Sequence, residues 1–322
     1  MTLLSPEEIA PVKADLDRTL AALDAMLLGR PELHRLVLAG VLARGHILLE
    51  GLPGLGKTAL VTALSRILEL DAKRIQFTPD LMPSDIVGSH ILETKNDGSR
   101  EMTFRPGPVF CNVLLADEIN RASPKTQSAL LETMQERSVT LMGVTRALPD
   151  PFFVLASQNP IELEGTYPLP EAQTDRFLFR LHVSSPDAAT LTAIIMSRSQ
   201  GRMPDPGFTL PADALRRAFA TVERVFLPEA VASWIGRLVS ATHGAGRVKY
   251  GASPRAAIAL AESARALALL DGRPSVGFDD VRAVADPVLN HRLVLDYRAS
   301  LDGVTASDVV REVLASVPVA GE

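Results

Sequence analysis

Gly51-Leu52-Pro53-Gly54-Leu55-Gly56-Lys57-Thr58 decides how the rest of the chain is read. It fits G-x-x-x-x-G-K-[ST]; the apolar run His46-Ile47-Leu48-Leu49-Glu50 leads in, and the helix-like run Ala59-Leu60-Val61-Thr62-Ala63-Leu64 leads out. The expected local structure is a strand, a phosphate loop and a helix. Three glycines let the backbone turn tightly around an anion, so that successive N–H groups and the positive end of the next helix converge on a β-phosphate. Lys57 would then sit between the β- and γ-phosphates, and Thr58 would hold Mg²⁺ through its hydroxyl. The residues expected around a nucleotide are Gly51, Pro53, Gly54, Leu55, Gly56, Lys57, Thr58 and Ala59. A glycine-rich turn without a ligand is the alternative, and the loop alone names no reaction.

With 322 residues the chain exceeds the usual single-domain size, so two domains are expected. Hydrophobic residues make up 47% and aromatics only 5%, which favours helix-rich α/β packing over an aromatic platform for nucleic acid. Lys and Arg total 33 against 38 Asp and Glu, for a net charge of −5. That balance disfavours a non-specific duplex binder, although a local basic channel in a ring would not register in the sum. The single cysteine, Cys111, has no disulfide partner, and no histidine stands at metal-ligand spacing from it or from another histidine. The start lacks a basic stretch followed by an apolar one, and no apolar run approaches the ~18 residues that span a bilayer. A soluble cytoplasmic protein with no membrane span is expected.

Residues 5–28 read as a helix, with Ser5-Pro6-Glu7-Glu8 supplying the cap and first-turn acids, and residues 31–42 as a second, more buried helix. The second helix would either cover an adenine or simply pack on the sheet. A strand is expected at 73–77, a proline-bracketed short helix within 78–88, and a hairpin from 90–94 and 101–104 around Lys95-Asn96-Asp97-Gly98. Val113-Leu114-Leu115-Ala116-Asp117-Glu118 reads as a buried parallel strand ending in acids. A helix capped by Ser123-Pro124, a second hairpin at 139–145, and strands at 152–160 and 177–183 follow. From Ser184 onward strand signals vanish. Helices are expected at 187–199, 211–224, 228–243, 254–270, 278–290 and 305–316, which divides the chain into domains 1–184 and 185–322.

Asp117 and Glu118 fit the second half of a nucleotide site. Asp117 is expected to bind Mg²⁺, and Glu118, pointing the other way along the pleat, to orient or deprotonate the attacking water. Asn159, at the end of the next strand, could hold the same water and the γ-phosphate; the Asn-Pro pair is otherwise a turn signal. Arg176 suits a cation supplied from a neighbouring subunit, or else a surface pair with Asp175. Arg255, in the first turn of a helix, opposes the helix dipole, which favours an anion-binding purpose.

These residues together resemble an AAA+ ATPase: Walker A at 51–58, Walker B at 114–118, sensor 1 at Asn159 and sensor 2 at Arg255. The phrases Leu114-Leu115-Ala116-Asp117-Glu118-Ile119-Asn120-Arg121-Ala122, Ser157-Gln158-Asn159-Pro160, Glu164-Gly165-Thr166-Tyr167-Pro168-Leu169-Pro170-Glu171-Ala172-Gln173 and Asp175-Arg176-Phe177 closely resemble the MoxR branch. The likeness runs from roughly residue 5 to 317. It implies an α/β P-loop fold with a five-stranded parallel sheet, a helix-2 insert at 78–106, a pre-sensor-1 hairpin at 138–149 and a C-terminal all-α lid. It also implies ATP and Mg²⁺ as cofactors, catalytic roles for Glu118, Asn159, Arg176 and Arg255, and a hexameric ring in which Arg176 acts in trans. Similar proteins are chaperone-like motors that mature or activate a client protein, often with a von Willebrand factor A domain partner. A nucleic-acid motor of the same clade is the rival expectation. Gly29-Arg30 departs from the Gly-Gln usual in similar proteins, which touches the adenine pocket and no catalytic position.

Overall fold

The computed structural model describes residues 3–96, 98–159, 166–197 and 203–319. The chain opens with α1 (Pro6–Met26), α2 (Pro31–Leu42), β1 (Ile47–Glu50), α3 (Lys57–Ile67) and β2 (Ala72–Gln76). Next come α4 (Pro83–Val87), β3 (Gly88–Thr94), β4 (Arg100–Pro106), β5 (Val113–Asp117), α5 (Pro124–Glu136), β6 (Ser138–Leu141) and β7 (Val144–Ala147). The α/β part ends with β8 (Phe153–Gln158), α6 (Glu171–Thr174) and β9 (Phe179–His182). Beyond it lie α7 (Ala188–Ser197), α8 (Ala212–Arg224), α9 (Glu229–Thr242), β10 (Val248–Tyr250), α10 (Pro254–Leu270), α11 (Phe278–Leu289), β11 (Val294–Leu295), α12 (Tyr297–Leu301) and α13 (Ala306–Ser316).

The sheet runs in the order β2-β5-β8-β1-β9, and every neighbouring pair is parallel. The inner strands β1, β5 and β8 are almost wholly buried because both faces are covered, whereas the edge strand β2 exposes Lys73, Arg74 and Gln76. In β5, Val113 and Leu115 join the cluster formed with α1, α2 and α3, while Leu114 and Ala116 join the cluster formed with α5. The first cluster continues without a break into Leu215, Trp234, Leu267, Val281 and Val309 of the C-terminal helices. The helical region therefore packs on the same core as α1 and α2.

Local chemistry sets the helix starts. Ser5 Oγ accepts from the Glu8 N–H at 3.3 Å while Glu8 Oε2 accepts from the Ser5 N–H at 2.9 Å, a reciprocal cap that fixes the entry of α1. The helical region adds an antiparallel pair, β10 with β11, and the short α12 to the expected six helices. Segments of three and two residues with a register shift are too short to show a period of two in sequence. Residues 198–199 of the expected first helix, Gly201-Arg202 of the expected loop, and Asp97, Pro160 and Glu164-Gly165 lie outside the described residues.

The two hairpins of the α/β part touch. The Arg146 guanidinium of β7 lies 4.0 Å from the Phe104 ring centroid of β4, and its Nη2 is 3.5 Å from His90 Nε2 of β3.

His46 ties the base of the sheet to α5. Its Nδ1 accepts from the Val154 N–H and its Nε2–H donates to Met134 O, each at 3.0 Å, so the neutral ring satisfies both neighbours. Burial lowers its pKa from 6.5 to about 4. The unfolded chain takes up this proton near pH 6.5 and the folded chain only near pH 4, so the contribution is complete above 6.5 and is lost as pH falls through that window. The expected slope is about 1.4 kcal/mol per pH unit. Urea unfolding at pH 7 and pH 5 should show the loss in the wild type and a shallower one in His46→Gln; an equal loss in both would exclude His46 as its source.

Candidate nucleotide site

The phosphate loop leaves β1 at its C-terminal end. Gly54 and Gly56 hold φ of +82° and +84°, where a side chain would be strained, and a Cβ at Gly54 would meet nothing within 4 Å. The loop is thus an open concavity. Gly56 is the N-cap of α3 and supplies no side-chain cap, so the first N–H groups of the helix are left for a ligand, with the helix dipole behind them. Lys57 Nζ, in a buried side chain, donates to Gly51 O at 2.6 Å across the loop. Burial lowers its pKa, and the nearby charges of Asp117 and Glu118 oppose that shift. Loop and acids therefore share one site.

Asp117 closes β5. Its Oδ1 accepts from Ser157 Oγ at 2.5 Å, and its Oδ2 faces Arg74 Nη2 at 2.7 Å. Glu118 is not part of the strand: at φ 56° and ψ 50° it is left-handed, so the alternation expected from the pleat does not apply to it. Its N–H donates instead to Ser157 Oγ at 2.9 Å, and this turn aims the carboxylate. Gln76 Nε2 donates to Glu118 Oε2 at 2.8 Å and Arg121 Nη1 at 2.9 Å. One hydroxyl, Ser157, thus positions both acids.

Asn159 follows the last residue of β8, whose Gln158 stands opposite Glu50 of β1 and whose carbonyl accepts from Gly51 N–H at 3.2 Å. Because β8 lies between β5 and β1, Asn159 sits between the acids and the loop. All of these groups occupy the C-terminal edge of the sheet.

The two remaining arginines do not. Phe179 begins β9 and pairs in parallel with Ile47, the first residue of β1, so Arg176 lies at the opposite, N-terminal edge. At ~3.3 Å per residue, the length of β1 separates it from the phosphate loop of its own chain. Arg176 Nη1 donates to Leu131 O at 2.9 Å. It lines a cavity of about 490 Å³ together with Arg44, Asp175, Arg255, Arg265 and Arg292. Asp175 does not pair with Arg176: it accepts from Arg292 Nε at 2.8 Å and from Ser253 Oγ at 3.1 Å, with Arg255 Nη1 at 4.0 Å. Arg292 is buried and also donates to Phe177 O at 2.6 Å and Leu178 O at 3.1 Å. This cluster fastens α10 and the end of α11 to the segment that carries Arg176.

The family model described as "ATPase family associated with various cellular activities (AAA)" matches residues 46–179, and the model described as "AAA lid domain" matches residues 240–313. "Chaperone MoxR1" of Mycobacterium tuberculosis is 42% identical over 97% of this chain and 84% of its own length. "Protein MoxR" of Paracoccus denitrificans is 36% identical over 85% of this chain and 87% of its own. The chain belongs to the MoxR family of AAA ATPases. A crystal structure of a candidate ATPase from Cytophaga hutchinsonii superposes on this MoxR-family chain with a TM-score of 0.88 at 37% identity, covering 98% and 97% of the two chains.

In this MoxR-family fold the Thr58 hydroxyl and the Asp117 carboxylate offer hard oxygens beside an open phosphate cradle, a donor set that fits Mg²⁺, which keeps waters and phosphate oxygens among its ligands. Among the described residues no group of three His, Cys, Asp or Glu forms a ready-made metal cage, and no helix is long and apolar enough to cross a membrane. Ser157, Gln76 and Arg74 were not singled out by sequence reasoning, because a serine in an apolar strand and polar residues at an exposed strand end carry no distinctive pattern. Arg292 stands in Asn290-His291-Arg292, three buried polar residues at and just past the end of the helix expected at 278–290, and was not singled out in the sequence either.

Proposed function

We propose that this chain hydrolyses ATP at sites shared between adjacent copies in a ring, expected to be hexameric, and uses the turnover to remodel or activate a client protein. The observation that carries this reading is the separation of functional groups to opposite edges of one sheet: cradle, acids and Asn159 at one edge, Arg176 and Arg255 at the other. A head-to-tail contact brings one edge against the other of the next copy, and repetition of that contact closes a ring. In such a site Glu118 accepts the proton of the attacking water, Asn159 holds that water and the γ-phosphate, and ADP leaves. Arg176 of the adjacent copy neutralises the transferring phosphoryl group, and Arg255 contributes beside it. Mg²⁺ held by Thr58 and Asp117 would neutralise charge on the phosphate oxygens.

Residues 1–184 form the nucleotide-binding unit in this reading, and residues 185–322 the connector and lid whose movement follows turnover in the cytoplasm. The client contacts the touching hairpins. Leu92 and Met102, paired in register on β3 and β4, and Met142 and Val144 at the other hairpin are exposed apolar groups suited to a protein surface or a von Willebrand factor A domain. Of the basic groups there, Lys95 pairs with Glu101, Arg146 stacks on Phe104 and Arg137 donates to Arg44 O at 3.1 Å, while Arg100 and Arg105 of β4 are exposed. These cations stand among Glu93, Glu101 and exposed apolar side chains, a mixture better suited to a protein surface than to a nucleic-acid backbone. A shared site requires assembly, so phosphate release per chain should fall about tenfold or more on dilution through the assembly threshold, measured beside sedimentation. A constant rate per chain in the monomer would contradict it.

A further inference from the structure

Arg30 joins the phosphate loop to the start of the helical region. Its Nη1 donates to Leu55 O at 2.5 Å and its Nη2 to Ser184 O at 2.8 Å, carbonyls that belong to the loop and to the segment between β9 and α7. The residue before it is locked as well. Gly29 has φ +86°, and a Cβ there would lie 2.3 Å from Thr190 Cγ2 of α7, so the turn between α1 and α2 seats α7 directly against itself.

Both acceptors of the Arg30 guanidinium are neutral, and burial works against its charge. Its Nη1 stands 4.0 Å from where a Cβ on Gly56 would be, beside the cradle for the phosphates. Together with Leu33, Leu55, Ala59, Pro186 and Ile194 it lines a cavity of about 420 Å³ that opens beside Gly56 and Lys57. A base fits the apolar part of that cavity, and its phosphates would pass the guanidinium.

The geometry points to Arg30 as a nucleotide-contacting residue that meets the polyphosphate on one side and Ser184 on the other, so that occupancy of the loop orders the connector to α7. This inference rests on the reading of the loop as an ATP site. A guanidinium suits the task because its planar fork serves two acceptors at once, which an ammonium on one stem does not.

The test measures ADP and adenosine affinity by equilibrium dialysis, and amide exchange across residues 184–191 with and without ADP, in the wild type, Arg30→Gln and Arg30→Lys. Arg30→Gln should lose about tenfold or more in ADP affinity, the scale of one charge-assisted hydrogen bond, while adenosine affinity is retained. ADP should slow exchange across 184–191 in the wild type and not in Arg30→Gln. Arg30→Lys, which keeps the charge, should recover part of the ADP affinity without the slowed exchange. Equal ADP affinity in the wild type and Arg30→Gln, or equal losses for ADP and adenosine, would overturn the inference and leave the ATP site standing. A wild-type chain that binds no ADP would remove the ATP-site reading and this inference with it.

Discussion

Glu118→Gln is expected to lower ATP turnover by about 10²- to 10⁴-fold while ATP binding persists, the range that general-base catalysis supplies. The substitution keeps size and hydrogen bonding but removes the group that accepts a proton. The fold presents this carboxylate with unusual care: its backbone is held in a left-handed turn by Ser157, and its Oε2 is steadied by Gln76 and Arg121. None of those contacts reaches the phosphate loop, so nucleotide affinity should be preserved. Phosphate release measured beside nucleotide binding separates the two effects. Turnover near the wild-type rate would remove Glu118 from the chemistry, and lost binding would make it a structural residue.

Arg176→Ala should cost about 10³- to 10⁵-fold in turnover, the scale of an arginine supplied to a transferring phosphoryl group. Its Nε is buried without a hydrogen-bond partner, and a single carbonyl, Leu131 O, receives its Nη1. A guanidinium so incompletely satisfied has donors to spare for an anion that arrives from outside. The Asp175–Arg292–Ser253 cluster holds the backbone around it, so the alanine variant should fold and bind ATP in its own loop. Unchanged turnover in a variant that still assembles would contradict a catalytic part for Arg176.

Much of the fold was legible in the sequence because strong local rules agree with the global structure. The phosphate loop needs glycine at positive φ, β5 is apolar on both faces, and Ser5 and Ser123 mark helix starts. The opposing edges were not legible. They follow from the parallel register of β1 with β9, a long-range pairing that no window of sequence contains. The posture of Glu118 was misread for a related reason. A strand period assumes that the strand continues, whereas here Ser157, on a different strand, ends it one residue earlier. Asp175 was likewise offered its sequence neighbour as a partner, and tertiary packing gave it Arg292 instead.

The most direct measurement mixes equal amounts of Glu118→Gln and Arg176→Ala chains, each inactive alone, and follows phosphate release as the copies exchange. In a head-to-tail ring a competent site forms where an Arg176→Ala chain supplies the cradle and Glu118 while a Glu118→Gln chain supplies the arginine, which random mixing places at about a quarter of interfaces. Recovery towards that fraction of wild-type turnover is the expected result. A mixed assembly that stays as inactive as its parts would contradict a site built from two copies.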